Sequence, residues 1–310
     1  IIHAFDNRID GLEHISLTSR ILQRKVSEII ESHNVNDLSF VYSLLSTSAK
    51  SEILKQLIKL NDNSFLIFAL SEFKDKKLVA FDLDRIQDLL GSSNQFVRLL
   101  SFELYATYCD NPNSLKNYYD SESPEIRYAI LRGYLKSNNI DHITLGGTLL
   151  QRLLKNEQTK NKGLQIIGEV GDSNFYRPIL NNFSGVSDSN IKQALKSAYF
   201  INNPKLILAL LSFLGNEKYG KLAVIALVQF GVKPLEVLNG DIEKRGGDRL
   251  FLIHCIDLCS KVDSPISRKI LKRLLKHKSQ SIYCRSLDGL AKINFSTNKV
   301  NKRTIQKILK

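Results

Sequence analysis

The chain has 310 residues, with 44 Lys and Arg against 31 Asp and Glu for a formal charge of +13, 43 % apolar residues, four Cys, six Pro, and neither Met nor Trp. These totals exclude a disulfide-stapled secreted module, a collagen-like filament and a disordered tail. A folded chain of this length makes about two globular units or one elongated array.

The chain opens Ile1-Ile2-His3 and lacks Met throughout, which is expected of a piece cut from a longer protein. Omission of modified methionines would leave the same trace and shift spacings by about a residue. The charge is localised. Residues 1–260 hold 30 basic and 29 acidic side chains, whereas residues 261–310 hold 14 basic ones and only Asp263 and Asp288 as acids. The most apolar stretches, LILALLSFL from Leu206 and LAVIALVQF from Leu222, are about half the roughly 20 residues that a membrane span needs. No basic-then-apolar leader opens the chain. Cys109, Cys255, Cys259 and Cys284 lie in apolar helical patterns and read as reduced core thiols, which fits a cytoplasmic setting.

In chain order, residues 1–61 predict a helical cap or adaptor. TSRILQRKVSEIIESH from Thr18 carries Leu22, Val26, Ile29 and Ile30 on one face, and NDLSFVYSLL and SEILKQLIKL follow it. From residue 62 onward amphipathic segments succeed one another without strand alternation. Ser123-Pro124-Glu125, Asn203-Pro204 and Ser264-Pro265 predict capped helix starts, and Gly171, Gly215 and Gly231 predict stops.

Several segments share one plan, in which a polar turn leads to an apolar residue, a basic residue and an apolar run. NQFVRLLSFELYA from Asn94, SPEIRYAILRGYL from Ser123, DSNIKQALKSAYF from Asp188 and QSIYCRSLDGLAKI from Gln280 are the clearest. With weaker copies included, the basic position falls at Arg98, Arg127, Lys160, Lys192, Lys221, Arg249 and Arg285, at intervals of 29, 33, 32, 29, 28 and 36 residues. Shorter apolar helices intervene, such as ITLGGTLLQRLLK from Ile143. The pattern predicts an all-α fold, an α-solenoid superhelix of two-helix repeats over 62–295, with a basic C-terminal helix over 296–310. Each hairpin leaves an apolar face that only a neighbour covers, so the core becomes a continuous strip. The first helix of each pair is expected on the convex side and the second on the concave side. A cation near the start of the second helix opposes the helix dipole. A structural ladder, pairing each cation with Asp, Asn or carbonyl oxygens of an adjoining turn, would explain its recurrence.

These segments resemble HEAT repeats, whose second helix opens with the same apolar-then-basic step. Residues 163–295 more specifically resemble the HEAT region of bacterial transporter-like membrane proteins of the nucleotide-translocase type. The matching stretches are LQIIGEVGD from Leu164, KLAVIALVQFG ending at Gly231 with PLEVL after it, and SRKILKRLLKH followed by YCRSLDGLAKI. The resemblance implies a cytoplasmic repeat region of a larger membrane protein. It carries no transport activity, because the family's spanning helices and cyclic-nucleotide module have no counterpart in this sequence.

A search for chemistry yields no catalytic, cofactor or metal assignment. The six histidines lie outside any HExxH pattern. Cys255 and Cys259 are one helical turn apart beside His254 and could share a metal, but they alternate with Leu252, Ile256 and Leu258 as core residues do. Gly146-Gly147 and Gly246-Gly247 lack phosphate-loop context, and no nucleophile elbow is present. Asp82 with Asp84, and Asp75 near Glu72, have spacings ordinary for caps and turns. The expected function is a non-enzymatic scaffold that binds a protein partner on its concave face.

The basic end is the strong electrostatic signal. In PISRKILKRLLKHK from Pro265, the cations Arg268, Lys269, Lys272, Arg273 and Lys276 oppose a stripe of Ile270, Leu271, Leu274 and Leu275. Lys299, Lys302, Arg303, Lys307 and Lys310 extend the charge. This face reads as a solvated surface, as an anionic-membrane contact, or as a nucleic-acid contact. The last has an enzymatic version, since HEAT-like alkylpurine DNA glycosylases share the architecture. Those enzymes use Trp around the excised base, however, and the even charge over 1–260 argues against a continuous phosphate-tracking groove.

Overall fold

The computed structural model describes residues 24–76 and 82–293, apart from the side chains of Asp75, Lys76 and Ser121. Lys302, Arg303, the other cations of the expected 296–310 helix, and the start of the Thr18 helix lie outside the described residues. Among the described residues every regular element is helical. The helices are α1 (24–31), α2 (Val35–Ser43), α3 (Thr47–Leu57), α4 (Asn63–Lys76), α5 (Leu83–Asp88), α6 (Gln95–Tyr108), α7 (Lys116–Ser121), α8 (Pro124–Lys136) and α9 (Ile140–Lys155). They continue as α10 (Glu157–Val170), α11 (Tyr176–Asn182), α12 (Asp188–Ile201), α13 (Ile207–Ser212), α14 (Gly220–Val228), α15 (Lys233–Asp241), α16 (Arg249–Cys259), α17 (Pro265–Leu274) and α18 (Gln280–Lys292). Short 3-10 turns lead into α7, α11 and α13. No helix among the described residues is long and apolar enough to cross a membrane.

Local chemistry sets the starts. Asn94 Oδ1 accepts from the Phe96 and Val97 amides at 3.0 and 3.2 Å, Asn156 Oδ1 from Gln158 at 3.0 Å, and Asp248 Oδ1 from Phe251 at 2.9 Å. Ser123 and Ser264 cap α8 and α17, each with Pro in the first turn. Such a cap contributes about 1 kcal/mol by satisfying amides that have no partner within the helix. Gly171 and Gly231 end their helices with φ of +72° and +61°, a conformation open to glycine and costly for branched residues. Gly215 ends a 3-10 turn with negative φ instead; a Cβ there would meet the Arg245 and Asp248 side chains.

The chain divides into two compact units, 1–149 and 150–310, and the division falls within α9. In the first unit α4, α6 and α8 pack in succession as one layer, with α3, α5 and α7 each against the helix that follows it. One apolar cluster runs from Val26 and Ile29 of α1 through Leu54, Phe65 and Phe73 to Leu104 of α6, so the N-terminal helices share their core with the first recurring pairs. In the second unit α10, α12, α14, α16 and α18 form one layer, and α13, α15 and α17 pack successively as another.

The recurrence is visible in side-chain hydrogen bonds that step from one helix pair to the next. Ser137 Oγ donates to Thr107 O at 2.8 Å across 30 residues in the first unit. In the second, Ser197 Oγ donates to Leu164 O at 2.7 Å across 33 residues, and Asn203 Nδ2 to Ser173 O at 2.9 Å across 30. Glycine permits the tightest crossings. A Cβ on Gly133 of α8 would lie 2.3 Å from Glu103 O of α6, and one on Gly220 of α14 would lie 2.2 Å from the His254 ring of α16.

Candidate partner-binding site

Burial on α17 follows its amphipathic pattern, with Ile270, Leu271, Leu274 and Leu275 in the core. Its five cations divide into two kinds. Arg268 Nη2 donates to Asp263 at 2.7 Å, and Arg273 donates to Glu243 at 3.0 Å and to Asn239 O at 3.1 Å. Arg273 thereby ties α17 to the end of α15, the preceding helix of its layer. Lys269, Lys272 and Lys276 are exposed and form the outward part of the basic face.

The seven recurring cations are also not alike. Arg98 Nη2 reaches Glu122 at 2.8 Å while its Nε reaches Leu90 O at 3.2 Å, which joins α6 to the turn before α8. Arg127 Nε is buried without a hydrogen-bond partner. Lys160 pairs with Glu157 of its own helix, and Arg249 Nη2 lies 3.5 Å from Ser281 Oγ of α18. Lys192, Lys221 and Arg285 are exposed and make no ion pair with the described residues. The pairing with an adjoining turn is therefore made at Arg98 and, more loosely, at Arg249.

The densest charged cluster was not singled out by the sequence pattern. Glu103 of α6, with a side chain only 2 % exposed, receives Arg132 Nε at 2.8 Å and Lys136 Nζ at 2.8 Å from α8, and Lys74 Nζ at 3.3 Å from α4. Burial pushes its carboxyl up, but Arg132, Lys136 and Lys74 outweigh burial and hold it below the usual carboxylate range. One side chain thus connects three successive helices of the same layer.

Three of the four thiols, Cys109, Cys255 and Cys259, and the histidines His142 and His254 are buried. Cys255 and Cys259 are buried, and burial pushes both thiols up, Cys259 to about 12. His254 Nδ1 lies 2.6 Å from Leu214 O. Among the described residues no three His, Cys, Asp or Glu are grouped to hold a metal. Cys284 departs from the core expectation, being exposed on α18. His142 of α9 is fully buried, its Nδ1 3.0 Å from Ala106 O and its ring edge-on to Tyr134, while its Nε2 has no partner among the described residues. Burial pushes its pKa below the ordinary histidine value.

In the 150–310 unit the second helices also expose large apolar side chains: Phe200 of α12 is 59 % exposed, and Ile225 of α14 and Leu250 of α16 are exposed too. In the 1–149 unit Phe96 of α6 is 67 % exposed.

No family model and no curated protein matches the chain. Among solved structures, the crystal structure of an engineered protein aligns over 80 % of this chain and 92 % of its own at 14 % identity, with a TM-score of 0.22, a likeness too slight to carry an argument. The fold defines the class on its own: an all-α, helical-repeat-like protein.

Proposed function

We propose that the chain is a HEAT-like repeat scaffold, without catalytic activity of its own, that holds a protein partner along the outward face of its second helices. The observation that carries this reading is the coexistence, within the 150–310 unit, of repeat-to-repeat side-chain bonds with exposed Phe200, Ile225 and Leu250 on the second helices. Stacked hairpins supply a rigid surface, and exposed Phe on a rigid surface is the chemistry of an interface anchor. In a bacterial transporter-like membrane protein, as the sequence resemblance implies, this scaffold would form the cytoplasmic part. The test is affinity capture with the double variant Phe200→Asp and Ile225→Asp. The partner captured by the unaltered chain is expected to be lost, while Leu208→Asp on α13 of the first-helix layer retains it. Retention by the double variant contradicts the proposal.

A further inference from the structure

The N-terminal turns of the second helices in the 150–310 unit abut one another. Asn161 Nδ2 of α10 donates to Ser189 Oγ of α12 at 2.9 Å. Lys218 Nζ and the Tyr219 hydroxyl, just before α14, reach Asp188 at the start of α12, the lysine at 3.0 Å. Gly220 of α14 faces the His254 ring of α16, and Arg249 of α16 faces Ser281 of α18. Across this row each of four successive helices presents one exposed cation within its first two turns: Lys192, Lys221, Arg249 and Arg285.

Direct ion pairing within the chain does not account for these cations. Lys221 and Arg249 lie in the first turns of α14 and α16, at the positive end of the helix dipole, where a cation is unfavourable by a few tenths of a kcal/mol. None of the four forms a direct ion pair with the described residues, although Lys192, one turn after Asp188, helps to hold that carboxyl down. The acids nearby are already engaged, Glu157 with Lys160, Asp188 with Lys218 and Tyr219, and Asp248 with Arg245 at 2.8 Å. Glu217 is the remaining exposed acid of these turns. Four exposed cations on consecutive helices, two of them set against a helix dipole, are an arrangement that an external anion would relieve.

We propose that this row is the docking track for an extended, acidic segment of a protein partner. The inference rests on the scaffold reading above and names the chemistry of its partner. Packed helices lie about 8–10 Å apart, and an extended chain advances about 3.3–3.6 Å per residue, so a carboxylate at every third position meets one cation per repeat. Nucleic acid fits less well, because each strand carries a phosphate about every 3.4 Å along the helix axis. The row is sparser than that, and its turns also carry the acids Asp188, Glu217 and Asp248.

The test uses the full chain and a fluorescent peptide of about fifteen residues with Glu at every third position among Gly and Ser, its Gln counterpart, and a single-stranded oligo-dT of similar length. Saturable binding of the Glu peptide at low salt is expected, with none for the Gln peptide. Exposed charge contacts contribute about 0.2–1 kcal/mol each, so the variant Lys192→Gln, Lys221→Gln, Arg249→Gln and Arg285→Gln should weaken binding at least about fourfold. Lys269→Gln, Lys272→Gln and Lys276→Gln together should leave it unchanged. The row variant should melt at or slightly above the temperature of the unaltered chain. Equal binding of the Glu and Gln peptides, indifference to the row variant, tighter binding of oligo-dT, or a large drop in melting temperature overturns the inference. Should the peptide test fail while Phe200→Asp and Ile225→Asp still abolish partner capture, the acidic track falls and the scaffold stands; failure of both removes the scaffold reading too.

Discussion

Arg132 Nε donates to Glu103 Oε2 at 2.8 Å from the neighbouring second helix, 29 residues along the chain, and the carboxylate that receives it is almost wholly buried. Removal of one partner from a buried pair leaves uncompensated charge and costs about 3–5 kcal/mol. The cations here keep some solvent, with side chains 15–28 % exposed, so Glu103→Gln should cost about 3 kcal/mol. Urea unfolding of the variant, read as a lower midpoint at unchanged slope, checks this. A midpoint shift worth less than about 1 kcal/mol would mean that the three cations are satisfied by water. Because its folded pKa is depressed, Glu103 contributes stability that is present above the unfolded value near 4.3 and lost as pH falls through the folded value. Glu103→Gln should therefore flatten the acid limb below about pH 4.3.

His142 gives a separate limb at higher pH. Its folded pKa is depressed by burial, so on acidification the unfolded chain takes up a proton near pH 6.5 that the folded chain does not. Stability is unaffected above that value and falls below it. Thermal melts at pH 7.5 and 5.5 should show a loss for the unaltered chain that shrinks for His142→Gln. Parallel losses in the two proteins would place the titrating group elsewhere.

Gly133 and Gly147 should respond in opposite directions to the same substitution. A Cβ at Gly133 has backbone oxygen at 2.3 Å and the Ala106 Cβ at 2.6 Å, so Gly133→Ala must push α6 and α8 apart at about 1–3 kcal/mol. Gly147, inside α9, has nothing within 4 Å of the same position, and Ala there should add about 0.5–1 kcal/mol through helix propensity. The checking measurement is the pair of urea midpoints, and a neutral Gly133→Ala would contradict the close crossing.

The cations of α17 should separate by role. Arg273→Gln removes contacts to Glu243 and Asn239 and should lower stability by about 1 kcal/mol, whereas Lys269→Gln should not alter it. If the exposed lysines face an anionic bilayer, Lys269→Gln, Lys272→Gln and Lys276→Gln together should abolish sedimentation with phosphatidylserine vesicles, at about 1 kcal/mol per charge. Equal sedimentation with neutral vesicles would reduce this face to a solvated surface.

The sequence made the helices and their punctuation legible, because caps are local. Ser123, Asn203, Ser264 and the two left-handed glycines declare themselves within a few residues. The apolar stripe of α17 was equally readable, and so was the interval of about thirty residues. Glu103 was hidden by the same logic: in SFELYA it interrupts a buried face, and only the register between α6 and α8 shows that Arg132 and Lys136 arrive from one repeat later. Arg273 looked like its lysine neighbours because its partners, Asn239 and Glu243, are contributed by another helix. Cys284 looked buried because its neighbours are apolar, but α18 has no further described helix packed on its outer side. The site was legible as composition and not as geometry. One cation per repeat could be counted, and which of those cations lacks a partner could not.

The central claim, that one layer of this repeat array is a partner-binding face, is tested most directly by cross-linking from both layers with a photoreactive residue. The positions, all in the 150–310 unit, are Phe200, Ile225 and Leu250 on the second helices and Leu208 and Val237 on the first. The account predicts discrete adducts with the same partner from the second-helix positions and none from Leu208 or Val237. Adducts of equal yield from both layers, or from Leu208 and Val237 alone, would contradict it.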